Sequence, residues 1–304
     1  MTHAQLLLAI LIVEAAIGYP NWLYQRIAHP VSWVGNLIAR LETAFNKGPK
    51  QIQKLFGIIL MLMLGFLVGS LGWLIENTFH AAIIILIGTT GLAQKSLYRH
   101  AHEVLIHLQA KDLAAAKIAV GKIVGRDTNN MQECDVTCAA IETVAESFND
   151  GIVAPAFWFF LAGLPGLFIY KVVNTADSMI GHMDARYQHF GWAAARIDDA
   201  MNFLPARLSG LIICVSGAGG FRTMIADAPH HASPNAGWPE AAMASVLNIQ
   251  LGGAVSYEGE AYHRPYFGKG TISGANDLVR ALNMLQRTCL MLWLLVAALA
   301  WSGL

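Results

Sequence analysis

The chain has 304 residues, 55% hydrophobic and only 13% charged, with twenty basic and twenty acidic side chains and a net charge of zero. Soluble domains carry about 25% charged residues, so much of this surface does not face water. Without a basic balance there is no electrostatic case for binding nucleic acid.

Residues 6–20 are apolar, and no Lys or Arg precedes Arg26. The run therefore lacks the positive start of a cleaved signal and reads as a first membrane span. Residues 55–75 contain no charge at all. At about 1.5 Å per residue they can cross a hydrocarbon core of about 30 Å. Residues 79–93 and 288–304 read as two further spans. Residues 152–170 are apolar but carry Pro155, Gly163, Pro165 and Gly166, and 208–220 is short and rich in Gly and Ser. Both are expected to be broken or re-entrant, a backbone tolerated at depth only inside protein or a watery cavity. The expected fold is thus an all-α polytopic integral membrane protein, one domain over 1–304, with helical, acid-rich cytoplasmic segments.

The polar segments 21–54, 94–151, 171–207 and 221–287 hold all twenty Lys and Arg. Basic loops stay in the cytoplasm, so 171–207 is expected there too, provided that 152–170 dips in and returns. Within 94–145 the apolar spacing predicts helix, broken at Gly125 and Asp127–Asn130 and resuming near Met131. Of the cysteines Cys134, Cys138, Cys214 and Cys289, the first two form one CxxxC with no second pair, a weak metal signal, and all four read as small buried residues.

Four groups of residues point to chemistry. Glu142, Glu146 and Asp150 are spaced i, i+4, i+8, which stacks three carboxylates on one helix face. Like charges so placed repel and invite a cation; oxygen ligands suit Mg²⁺. Asn174 and Asp177 form a second group, and Arg196, Asp198, Asp199, Asn202 and Arg207 a third. Amides, acids and arginines together suit a metal-bound polyphosphate, because Arg binds phosphate or carboxylate through paired hydrogen bonds. The fourth group, His231–Glu240, combines turn residues with an acid opening a helix; Ser233, Asn235 and Glu240 read either as structure or as a substrate clamp. Capping and surface ion pairs account for one such group more easily than for several. There is no Walker-type phosphate loop and no HExxH.

These residues resemble the CobD/CbiB family of cobalamin biosynthesis, the adenosylcobinamide-phosphate synthases. The likeness begins at His29-Pro30-Val31 and runs through Val124–Thr128, Glu142–Glu146 and Asp150-Gly151. It continues through Asn174–Asp177, Arg186-Tyr187, Arg196–Asp199, Asn202–Arg207, Ser233–Ala244 and Tyr257–Glu260. Two positions depart from the family pattern: Tyr19 stands where Asp is usual, and Ser147 where Asn is common.

The resemblance implies an ATP-dependent amide ligase of the cytoplasmic membrane. It would join adenosylcobyric acid to (R)-1-amino-2-propanol O-phosphate or a similar amino-alcohol phosphate, and ATP would activate the carboxyl as an acyl phosphate. It implies Mg²⁺ on Glu142, Glu146, Asp150, Asp177, Asp198 and Asp199. Nucleotide, phosphate or carboxylate would meet Arg126, Asn174, Arg196, Asn202, Arg207, Ser233, Asn235 and Glu240. No residue is singled out as the catalytic base. Membrane lipid and other membrane-associated cobalamin-assembly enzymes are the expected partners. The rival readings are a Mg²⁺-dependent membrane prenyltransferase, whose Asp-Asp-x-x-Asp motif is missing here, and a transporter or sensor, for which no paired halves are seen.

Overall fold

The computed structural model describes residues 1–303 except Met183, Glu258 and Ser273, with the backbone alone of Asn21, Tyr257, Ala261 and Ile272. Glu258, part of the expected Tyr257–Glu260 motif, lies outside the described residues. The chain is predominantly helical, as expected. Among the described residues four helical runs are long and apolar enough to cross a membrane: Lys50–Thr78, Ala81–Gln109, Glu133–Ile180 and Ala275–Ser302. A fifth arises if His3–Ile17 and Trp22–Phe45, bent by 87°, form one broken span. The residues make two compact units.

The first unit comprises Met1–Ala93, Ala154–Asn202 and Leu295–Leu304. Helix α1 (His3–Ile17) starts from a capping box of Thr2 and Gln5 and stops at Gly18, φ 62°. Such a backbone favours glycine. After the short α2 (Asn21–Arg26), α3 (Pro30–Phe45) opens with proline in its first turn, and the His29 ring caps Val31 N–H at 3.2 Å. Helix α4 (Lys50–Thr78) is 29 residues long, about 43 Å at 1.5 Å per residue. Leu62, Phe66, Leu67 and Trp73 are exposed along it, Phe66 by 78%. A row of large apolar side chains turned outward suits contact with lipid. The opposite side packs closely: a methyl on Gly57 would sit 1.9 Å from the Phe190 carbonyl, and one on Gly72 2.7 Å from Pro165 N. Small residues that let backbones approach are the usual membrane-helix device. Helix α5 (Ala81–Gly88) completes this stretch.

Helix α9 (Ala154–Ile180) breaks where Gly-Leu-Pro-Gly predicts it. Ala162 and Gly163 leave helical geometry, Gly163 at φ 62°. The Cβ position on Gly166 lies only 2.3 Å from the Trp158 carbonyl oxygen. Eight residues of straight helix would span about 12 Å, so the chain folds sharply here. Glu76, near the end of α4, holds the break: it accepts from Leu164 N–H at 2.9 Å and from the His3 ring at 2.8 Å. A side chain on Gly163 would collide with that carboxylate. The core gathers Ile38, Leu60, Leu64, Val173, Ala176 and Phe190.

The second unit comprises Gln94–Val153 and Phe203–Leu294. It holds α6 (Gln94–Gln109), α7 (Leu113–Gly121) and α8 (Glu133–Phe148). The expected break at 125–130 is present, with a second at Lys111, φ 59°. A π-helical turn over Asn149–Val153 follows α8. Helix α10 (Trp192–Ser216) contributes to both units. Residues 208–216 are its regular last turns, and the glycines break the chain only at 217–220. Helices α11 (Phe221–Asp227) and α12 (Gly237–Leu247) lead into a small sheet.

That sheet is absent from the sequence reading. Strands β1 (Ile249–Tyr257) and β2 (Glu260–Phe267) pair antiparallel, and β3 (Thr271–Ile272) adds parallel to β1, in the order β2-β1-β3. The β1–β2 register slips between Leu251 and Gly253, where Gly252 and Gly253 both have φ near 90°. Such a bulge re-aims the local backbone. Helix α13 (Ala275–Ser302) closes the chain.

Candidate functional site: two acid centres

In the second unit Glu142 is buried on α8 and fully engaged. Its Oε2 accepts from Arg126, close by, and from Arg264 at 3.1 Å; its Oε1 accepts from Gly252 N–H at 2.8 Å. The bulge in β1 turns that N–H inward, and β2 carries Arg264. Arg264 reaches on to Glu240 at 2.9 and 3.2 Å, and its Nη2 lies 3.0 Å from His231 Nε2. Glu240, in the first turn of α12, is almost wholly buried, and its Oε1 stands 3.5 Å from the same imidazole nitrogen. The array thus alternates Arg126, Glu142, Arg264, Glu240 and His231.

Burial holds the Glu240 carboxyl well above the usual range. Arg264 opposes this, while the negative charges of Glu142 and Glu146 reinforce it. One guanidinium shared by two acids favours ionisation of one of them. Burial first, and then the neighbouring Arg264 cation, push the His231 imidazole down to about 4. It is therefore neutral at pH 7.

The loop before α12 is ordered by its own hydrogen bonds. Ser233 N–H donates to His231 Nδ1 at 2.9 Å, and Ser233 Oγ accepts from Asn235 N–H and Ala236 N–H at 3.2 Å each. Arg207 donates to Asn235 Oδ1 at 3.4 Å and stacks over Phe203 and Trp238, 3.6 and 4.6 Å from the ring centroids. Asp127 joins the sheet tip to the turn before α8, accepting from Ser256 Oγ at 2.9 Å and Gly259 N–H at 2.8 Å.

The acid stripe of α8 differs from its expected form. Glu146 is exposed, and Asp150 falls in the π-helical turn, off the regular α spacing. Asn149 bonds Asp150 at 2.7 Å and accepts from Ser209 Oγ at 2.9 Å. Glu142, expected as a metal ligand, is met here by Arg126, Arg264 and the Gly252 N–H.

The first unit holds the other centre, where α9 and α10 bring the second and third groups together. Asp198 accepts from Asn202 at 2.9 Å and from Asn174 at 3.5 Å, and Tyr170 O–H donates to Asn202 Oδ1 at 3.1 Å. Asp177 lies within the electrostatic reach of both Asp198 and Asp199. Arg196 is exposed and pairs loosely with Asp199 at 3.5 Å. Burial raises the Asp199 carboxyl above its usual range, against the pull of Arg196. Among the described residues no three His, Cys, Asp or Glu side chains are already arranged as a metal site.

Arg264 and His231 are the array members that sequence reasoning left unassigned. The only trace of Arg264 was a lone cation in the alternating stretch Glu-Ala-Tyr-His-Arg-Pro-Tyr-Phe. His231 opens the His231–Glu240 group, but the sequence assigns it no individual role.

The fold defines a polytopic helical membrane protein that carries two clusters of acidic side chains. The family model for CobD/Cbib protein matches residues 6–285, and the chain belongs to that family. It is 41% identical to a cobalamin biosynthesis protein CobD of Rhodobacter capsulatus, over 99% of both chains. To the protein of that name from Rhizobium meliloti it is 38% identical, over 97% of this chain and 96% of the relative. To that of Clostridium tetani it is 37% identical over 86% of each. No solved structure matches the chain.

Proposed function

We propose that the chain forms an amide bond in cobalamin biosynthesis. A carboxyl of adenosylcobyric acid is joined, with ATP, to the amine of (R)-1-amino-2-propanol O-phosphate or a close amino-alcohol phosphate, giving adenosylcobinamide phosphate. The observation that carries this reading is the near full-length likeness to relatives named for cobalamin biosynthesis. A carboxylate and an amine do not condense unaided, so the site must bind anions, hold a nucleotide and exclude water.

The two centres suit these tasks differently. Asp177, Asp198 and Asp199, with the amides of Asn174 and Asn202, are hard oxygen donors of the kind Mg²⁺ takes, and a cation relieves their mutual repulsion. Glu146 and Asp150 add oxygen donors in the second unit. Mg²⁺, when bound, neutralises nucleotide phosphates and stabilises charge on the transferring group. Arg207, flattened between two aromatic rings, presents a guanidinium suited to phosphate or carboxylate. The Arg126–Glu142–Arg264–Glu240 array positions the α12 loop, with Ser233 and Asn235, against the sheet.

The test is conversion of adenosylcobyric acid and the amino-alcohol phosphate by membranes containing the chain, followed by mass spectrometry. The product is expected only with ATP and Mg²⁺. Equal turnover without nucleotide, or prenyl transfer in its place, overturns the reading. ATP is cytoplasmic, so residues 94–151, 171–207 and 221–287 are assigned to that side of the inner membrane. The fold at Gly163 supports a return of 152–170. A Gln188→Cys variant should resist an impermeant thiol reagent added to intact cells; labelling there would contradict this topology.

A further inference from the structure

The first unit carries an arm, α2 and α3, whose surface differs from that of its spans. Helix α1 has no polar face, as suits a segment surrounded by apolar matter. The chain then turns by 87° into the arm. The 16 residues of α3 sort onto separate faces at 3.6 residues per turn. Ile38 is buried, with Val34 and Leu41 packed beside it, on the side that meets α9. Trp33, Leu37 and Ala44 share a second flank, and all are exposed. Ser32, Asn36 and Thr43 share a third, polar flank. Arg40 stands on the border between the apolar and polar flanks.

A helix with one face on protein, a second apolar and a third polar fits the boundary of a bilayer. A helix wholly in water would not leave the second flank bare, and a spanning helix would force Arg40 among acyl chains. The approach to α3 repeats the pattern. Trp22 and Tyr24 on α2 are more than half exposed, and so is Trp33. Trp and Tyr gather at the level of lipid headgroups. Charge is the independent observation. Residues 21–54 hold five basic side chains and one acid. That acid, Glu42, is paired with Arg186 at 2.9 Å. Lys54 lies over the Trp192 ring, 3.6 Å from its centroid. The other four, Arg26, Arg40, Lys47 and Lys50, are exposed and make no ion pair among the described residues.

We propose that α2 and α3 lie flat in the headgroup layer and bind the anionic phospholipid of the cytoplasmic leaflet. Trp22, Trp33 and Leu37 enter the acyl boundary, while Arg26, Arg40, Lys47 and Lys50 meet the lipid phosphates. Helices of this kind are held by buried apolar area together with attraction to anionic lipid. Four uncompensated cations beside the apolar flank repel a second copy of the same surface and complement a negative leaflet. The surface concerns how the chain sits on its membrane, so it does not rest on the ligase reading.

Two measurements on the purified full chain, returned to defined bilayers, test this without turnover. The first places Trp33. The fluorescence lost in Trp33→Phe isolates that ring among the eight tryptophans. Lipid brominated near the headgroup end of its acyl chains should quench this contribution, and aqueous iodide should not. Quenching by iodide alone, or by neither, overturns the proposal. The second measures lipid choice. Native mass spectrometry from mixed nanodiscs should show phosphatidylglycerol retained in preference to phosphatidylcholine. Each basic residue at the surface is expected to contribute up to about fivefold. Changing Arg26→Gln, Arg40→Gln, Lys47→Gln and Lys50→Gln together should therefore remove most of the preference, whereas Arg26→Lys with Arg40→Lys should keep it. These side chains have no ionic partner to lose, so the variants should fold; unchanged thermal unfolding confirms it. A lipid preference equal in the wild type and the fourfold variant overturns the proposal. So does a dimer mass that the fourfold change abolishes while lipid choice stays the same, which would make the arm a contact between copies.

Discussion

The two acid centres use the same residue types under opposite rules. Around Glu142 each buried carboxylate is met by a guanidinium, and the array ties a loop, a helix and a strand together. Around Asp198 the carboxylate is met by carboxamides, with Asp177 and Asp199 adding like charge. The first arrangement is already compensated and resists change. The second leaves carboxylates beside one another, which is why the proposed Mg²⁺ is assigned to it. Acid count alone therefore says little about which acids hold a metal; what stands beside each one decides.

The largest expected effect breaks the first centre. Glu142→Gln leaves two half-buried arginines without their shared anion; losing one partner of a fully buried pair costs about 3–5 kcal/mol, and the Arg264–Glu240 contact that remains keeps the loss at or below the low end of that range. Thermal unfolding in detergent should show this plainly. An unchanged midpoint would mean that the array contributes no rigidity.

Acid pH should weaken the same centre by another route. The folded-state value of His231, about 4, lies below the roughly 6.5 of an unfolded histidine. Between those values the unfolded chain binds more protons, so stability rises with pH. The His231 contribution is complete above about pH 6.5 and is lost as pH falls toward 4, by up to roughly 3 kcal/mol. His231→Gln should flatten the unfolding midpoint across that window. A variant that keeps the full acid sensitivity would assign it to other groups.

Glu240→Gln sharpens the contrast with Glu142. If burial and Glu142 keep the Glu240 carboxyl protonated, the neutral amide replaces it with a change below about 1 kcal/mol. A loss as large as that of Glu142→Gln would show that Glu240 is ionised. Arg196→Ala, which removes a loose and exposed pair, should change stability least, within about 1 kcal/mol.

Much of the fold was readable because its signals are local. Apolar runs of near-bilayer length announce α4 and α13, and Gly163 with Pro165 announces the break that Glu76 caps. The sheet was not readable: Gly252, Gly253, Gly259 and Pro265 interrupt the alternation that marks strands, and pairing with β3 is non-local. The aspartate–asparagine centre follows from helical spacing on α10 and from Asn174 on α9. The arginine array does not. Arg126, Glu142, Glu240 and Arg264 come from a loop, two helices and a strand, and nothing in one-dimensional spacing links them.

The proposed Mg²⁺ role of Asp198 and Glu146 is tested most directly by measuring turnover and thermal unfolding together on purified Asp198→Asn and Glu146→Gln. If these acids hold Mg²⁺ with the nucleotide, each change removes a ligand and relieves repulsion. Most activity should then vanish, residual turnover should need more Mg²⁺, and the unfolding midpoint should stay level or rise. Normal turnover at normal Mg²⁺ in both variants would contradict the account and return these acids to a structural role.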